Sequence, residues 1–117
     1  MSALTIEQFQ QALREFAAAR DWDQFHSPKN LSMALIAEAA ELVEHFQWLT
    51  EDQSKTLAAD KRSEVALELA DIFTYLVRLA DKLDIDLLAA AEKKLKLNAE
   101  KYPADVVRGS AKKYTEY

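Results

Sequence analysis

The sequence predicts an all-α fold, a bundle of four to five helices, and three observations carry the prediction. One Gly and two Pro in 117 residues leave almost none of the turn signals that β-hairpins need. Half of the residues are hydrophobic, enough to form a core rather than a disordered chain. The apolar residues also recur at helical spacing in segments rich in Ala, Leu, Glu and Lys, all good helix formers. A chain of this length is expected to be one domain, residues 1–117.

The elements follow in order. "TIEQFQQALREFAAAR" opens with Thr5 as N-cap and Gln8 three residues later, a capping box. Ile6, Phe9, Leu13, Phe16 and Ala17 give the first helix its apolar face. "DWDQFHSPKN" breaks the period. Ser27 then caps a second helix with Pro28 at its first position, where a missing N–H costs nothing. That helix is expected over about 29–49. "TEDQSKTLAAD" reads as a polar connector with a short helical turn. A third long helix spans about 60–83. Asp84 is the expected cap of a fourth, "IDLLAAAEKKLKLNAEK", which stops before Pro103. "ADVVRGSAKKYTEY" is a tail without a clear period.

Composition excludes several classes of function. There is no Cys, so no disulfide and no thiolate metal site. "MSALTIEQFQ" has neither the basic nor the apolar region of a signal peptide. No uncharged apolar run approaches the ~20 residues of a membrane span. A cytoplasmic protein without a membrane partner is expected. Net charge is −5, unevenly spread. Residues 1–92 hold 8 basic and 17 acidic residues (−9), and residues 93–117 hold 7 basic and 3 acidic (+4). An acidic body does not bind duplex DNA well, so no nucleic-acid partner is expected. It can hold metal ions, while the basic tail can approach an anionic ligand.

The acids of the second helix stand in an apolar run, "LIAEAAELVEH" (35–45). Residues advance by about 100° on a helix. With Glu38 at zero, Leu31, Leu35, Leu42, Phe46 and Leu49 fall at about 20–80°, while Glu41 and His45 lie within about 60° on the other side. The remaining positions carry Met33, Ile36, Ala39, Ala40 and Val43, so the helix is apolar nearly all round, which implies burial on more than one side, cover that a partner subunit could supply. The third long helix repeats the geometry. Around Glu68, the apolar stripe is Val65, Leu69, Ile72, Leu76, Leu79 and Leu83, with Glu64, Asp71 and Tyr75 on the adjoining side. Antiparallel packing on these stripes brings Glu38, Glu41, Glu68 and Asp71 together. Four like charges in one place are either protonated or held by cations. Oxygen ligands alone favour a hard ion, Mg2+ or Mn2+.

"EAAE" (38–41) and "ELAD" (68–71) resemble the ExxE…ExxD signature of the MazG-like nucleoside triphosphate pyrophosphohydrolases. "REFAAARDWDQFHSPKNLSMALIAEAAELVEHFQW" (14–48), "ELADIFTYLVRLAD" (68–81) and "KLNAEKYP…RGSAKKYTEY" (96–117) are similar to the dCTP pyrophosphatase branch. The resemblance implies an all-α bundle completed by oligomerisation, a tetramer before a dimer. It implies Mg2+-dependent hydrolysis of a (d)NTP, dCTP or a related deoxynucleotide, to the monophosphate and pyrophosphate, a house-cleaning activity. Glu38, Glu41, Glu68 and Asp71 would be both metal ligands and catalytic residues, with Mn2+ able to substitute for Mg2+. Glu41 is the expected general base. Trp22, Trp48 and Tyr75 match the aromatic base pocket. Trp48, about 80° from Glu38 on the carboxylate side, is expected to wall the same cavity. Lys94, Asn98 and Tyr102, at i, i+4 and i+8, would reach the triphosphate or sugar, with Arg108, Lys112 and Lys113 as further phosphate contacts. His26 also matches a family position. Leu13 departs from the eukaryotic branch, which has His there.

A second reading stays open, a non-catalytic helical interaction module. It accounts for the apolar helices but not for the aligned acids or the three aromatics. A carboxylate di-iron bundle needs Glu-x-x-His pairs, and neither His26 nor His45 has a Glu three residues before it.

Overall fold

The computed structural model describes residues 4–111 and 115. Every regular element among them is helical: α1 (Ile6–Ala19), a 3-10 turn (Asp23–Phe25), α2 (Pro28–Glu44), α3 (Glu51–Lys55), α4 (Ala59–Lys82), α5 (Leu87–Lys101) and α6 (Ala104–Val107). The chain forms two compact units that divide between Asp84 and Ile85.

In the first unit, the two expected N-caps are present. The Gln8 backbone N–H donates to Thr5 Oγ1 at 3.1 Å and the Thr5 N–H donates to the Gln8 side chain at 2.9 Å. Ser27 Oγ accepts from the Asn30 N–H at 3.1 Å, with Pro28 at the first helical position. The Asn30 amide also donates to the Phe25 carbonyl at 3.0 Å, tying the start of α2 to the 3-10 turn.

The second helix is shorter than its apolar pattern predicts. It ends at Glu44, and residues 45–49 tighten into turns, with His45 N–H donating to Leu42 O and Leu49 N–H to Phe46 O. Thr50 stops any continuation, because its side chain caps α3 in a capping box with Gln53. The polar connector thus holds a true helix.

α4 packs chiefly against α2 and also against α1. Cross-helix pairs fix the direction. His45 lies by Lys61 and Glu64, while Glu38, seven residues earlier, feels the charges of Glu68 and Asp71. Residue numbers fall on α2 as they rise on α4, so the two helices run antiparallel, as expected. Leu31, Val65, Val77, Ala17 and Ala80 form the buried core. Val77 lies opposite the predicted α4 stripe; it is buried because α1 covers a second side of α4. On the outer face of α2, Ile36 is 68% exposed and Met33 and Val43 are also exposed.

In the second unit, Asp86 rather than Asp84 caps α5, its carboxylate accepting from the Ala89 N–H at 3.0 Å. Asp84 instead takes a left-handed conformation, φ 54°, just after α4, where a short polar side chain is tolerated. The tail contains the single-turn α6. No helix among the described residues is long and apolar enough to cross a membrane.

Candidate active site

α2 and α4 meet at their acids. Glu38, Glu41 and Glu68 each bring a carboxylate oxygen within 4.8 Å of the other two. Glu38 Oε2 and Glu68 Oε2 are buried and have no hydrogen-bond partner among the described residues. An unsatisfied buried carboxylate oxygen is costly. Burial raises the Glu38 pKa from 4.5 to about 7, helped by its hydrogen bond to Glu41 and by the charges of Glu41, Asp71 and Glu68. Asp71 lies outside the tight trio, but its charge acts on Glu38 and it lines the cleft beside it. On the far side His45 Nε2 stands 3.8 Å from Glu68, and Lys61 approaches His45 Nδ1 at 3.4 Å. The trio fits a hard divalent cation: the donors are all oxygen, and Glu38 and Glu68 each keep a buried oxygen without a hydrogen-bond partner among the described residues.

A cleft of about 160 Å³ opens beside the carboxylates, with Glu38 and Asp71 in its lining. This is the scale of a ring system rather than a whole nucleotide. Leu13, Phe16, Trp22 and Tyr75 give it apolar walls. Trp22 is 44% exposed and meets Phe16 edge-on, with ring centroids 5.8 Å apart. Arg20 covers the Phe16 ring, its guanidinium carbon 3.6 Å from the centroid.

His26, Thr74 and Arg78 give the cleft its polar edge. Arg78 is 5% exposed. A buried guanidinium needs partners. Its Nη2 donates to Asp23 at 2.6 Å, its Nε donates to His26 Nδ1 at 3.2 Å, and Asp81 lies 3.7 Å from Nη1. Asp23 also accepts from Lys82, and that hydrogen bond is the main cause holding its carboxylate below the usual range. Asp81 takes a two-pronged hydrogen bond from Arg14, 2.7 and 2.5 Å, which lowers its pKa. The 3-10 turn that follows Trp22 is thereby clamped to α4.

Of the sequence-predicted site residues, the structure gathers Glu38, Glu41 and Glu68 in one cluster, and Trp22, Tyr75, Glu38 and Asp71 around one cleft. It does not bring Trp48 into that cleft. Because α2 ends at Glu44, the helical angle that placed Trp48 beside Glu38 does not apply, and its side chain is 86% exposed. Lys94 and Asn98 lie on α5, Tyr102 closes that helix, and Arg108 follows α6, all in the second unit. Lys112 and Lys113 lie outside the described residues. Phe16 stands in the sequence as one residue of the α1 apolar face, and Thr74 and Arg78 lie in the 68–81 block without an assigned role. The link between Arg78 and His26, 52 positions apart, has no local signal.

The site can be set against known proteins. The model of the MazG-like family matches residues 34–117, and the chain belongs to that family. It is 44% identical to dCTP pyrophosphatase 1 of Homo sapiens over 114 residues, 96% of this chain and 67% of that one. It is 45% identical to dCTP pyrophosphatase 1 of Bos taurus, over 96% of this chain and 68% of that protein. The crystal structure of a pyrophosphatase from Archaeoglobus fulgidus DSM 4304 superposes with a TM-score of 0.81 at 36% identity, covering 88% of this chain and 96% of that one.

Proposed function

We propose that the chain is a single-domain, metal-dependent nucleoside triphosphate pyrophosphohydrolase that converts a deoxynucleotide, dCTP or a close relative, to the monophosphate and pyrophosphate. The enzyme class, a nucleoside triphosphate diphosphatase, follows from the family and from relatives named as pyrophosphatases. The observation that carries the reading is the carboxylate trio, two of whose buried oxygens have no hydrogen-bond partner among the described residues, sharing Glu38 with an aromatic-lined cleft. Glu38, Glu41 and Glu68, with Asp71 beside them, would hold Mg2+, or Mn2+ in its place. When bound, such an ion neutralises phosphate charge and makes water a better nucleophile.

The chain's own groups do the rest. Trp22 and Tyr75 hold the base by stacking, worth ~1–3 kcal/mol per ring. Glu38 and Asp71 line the same cleft, which supports a triphosphate held beside them. Glu41, the most exposed of the trio, accepts the proton of the attacking water. Lys94, Asn98, Tyr102, Arg108 and Lys112 are candidate phosphate and sugar contacts, and Trp48 a candidate base contact. The exposed apolar face of α2 at Met33, Ile36 and Val43 supports a homo-oligomer, with a tetramer favoured, and light scattering of the purified protein measures it. A cytoplasmic location fits the absence of Cys.

Incubation of purified protein with Mg2+ and a panel of dNTPs and NTPs tests the reading. It predicts monophosphate and pyrophosphate, with dCTP among the best substrates. Release of inorganic phosphate, or no turnover of any nucleotide, contradicts it.

A further inference from the structure

The clamp between α4 and the 3-10 turn has a chemical consequence for the cleft. Arginine keeps its protons at any ordinary pH, so Arg78 Nε can only donate. Its partner, His26 Nδ1 at 3.2 Å, must therefore be an acceptor and carry no proton. A neutral imidazole with a bare Nδ1 carries its hydrogen on Nε2. His26 lines the cleft, its ring meets Trp22 with centroids 6.5 Å apart, and Nε2 has no partner among the described residues. The ring is thus a fixed donor at the wall where the base is expected to stack. Burial lowers the His26 pKa, and the charges of Arg78 and Lys82 lower it further against the opposing pull of Asp23, so the neutral ring persists near pH 7.

We propose that His26 Nε2–H is a specificity-determining donor to an acceptor on the edge of the base, and that Arg78 is the positioning residue that fixes its tautomer. Cytosine offers two adjacent ring-edge acceptors, N3 and O2, whereas N3 of thymine and uracil carries a proton. O2 accepts in all three, so the discrimination lies at N3: a fixed donor there meets a lone pair in cytosine and an opposing N–H in thymine and uracil. The inference rests on the pyrophosphohydrolase reading and names the group that reads the base.

Two substitutions separate this role from a structural one. In His26→Asn the side-chain oxygen can replace Nδ1 as acceptor for Arg78, but nothing reaches the Nε2 position. His26→Gln can place an amide N–H there. The expected result with dCTP is a KM about tenfold higher for His26→Asn with kcat within about threefold, and a KM for His26→Gln within about threefold of the parent. Wild-type KM in His26→Asn, or equal loss in both variants, overturns the proposal. Nitrogen-15 correlation spectra of the unliganded protein at pH 8 should show the His26 proton on Nε2, and Arg78→Met should release that preference. A proton on Nδ1 in the parent overturns it as well. If the parent turns over no nucleotide, the functional reading fails instead, and the spectra still report the tautomer.

Discussion

Replacing Glu38 by Gln should stabilise the metal-free protein at alkaline pH while destroying its function. The neutral amide mimics the protonated carboxyl, including the ability to donate to Glu41. In the folded chain the Glu38 pKa is raised from 4.5 to about 7 by burial, the Glu41 hydrogen bond and the charges of Glu41, Asp71 and Glu68. The folded state therefore binds more proton than the unfolded state between these values. The stability from protonated Glu38 is complete below pH 4.5 and is lost as pH rises through about 7. A shift of that size corresponds to at most about 3 kcal/mol, and solvent screening at this partly exposed site reduces it to about 1–2 kcal/mol. For a domain of this size that is a rise in Tm of roughly 4–8 °C. Thermal unfolding with a chelator at pH 5 and pH 8 reads it. Glu38→Gln should melt higher than the parent at pH 8 and nearly with it at pH 5. A variant that melts lower at pH 8, or a difference independent of pH, would refute the claim that Glu38 is a strained acid awaiting a cation.

Other substitutions give distinct signatures. Glu41→Gln and Asp71→Asn should each lower turnover about 100-fold or more with an unchanged circular dichroism spectrum, the scale of losing a general base or a charge at the reacting phosphate. Unchanged turnover in both removes the site. Trp22→Ala should raise KM for dCTP about 10- to 100-fold with a smaller effect on kcat, since it removes a stacking face; an unaffected KM contradicts the base cleft. Asp81→Asn should cost about 1–2 kcal/mol in urea unfolding above pH 5, because it weakens the Arg14 pair and one partner of buried Arg78. Asp81 is held below the usual carboxylate range chiefly by Arg14, so its stabilisation is present above about pH 4 and fades in acid. The deficit of Asp81→Asn should shrink correspondingly, and a deficit that grows in acid would contradict the assignment.

What the residues made legible was what they encode locally. Thr5 with Gln8 and Ser27 with Pro28 start α1 and α2 where the capping chemistry requires. Glu38, Glu41 and Glu68 are brought together because each borders the apolar stripe of a long helix, and those stripes pack antiparallel. Periodicity misled at the end of α2. Phe46 and Leu49 continue the apolar pattern after the helix has stopped, and the stop comes from Thr50 capping the next helix. Trp48 left the cleft for that reason. Asp84 and Asp86 are both plausible caps by type, and only backbone geometry assigns the cap to Asp86. Arg78 is held by Asp23 and His26, 55 and 52 positions away in the chain. Partners that far apart in the chain are settled by packing, which no window of sequence contains.

The trio of carboxylates is proposed as a divalent-cation site. Mn2+ titration calorimetry of the intact protein at pH 7, repeated in buffers of different ionisation enthalpy, tests it most directly. The parent should bind Mn2+ and release about half a proton per Glu38, as an acid with a pKa of about 7 requires, rising toward one proton at pH 6 and falling toward none at pH 8. The variant carrying Glu38→Gln, Glu41→Gln and Glu68→Gln together should give no binding heat. No Mn2+ binding by the parent, or equal binding by the triple variant, would contradict the account.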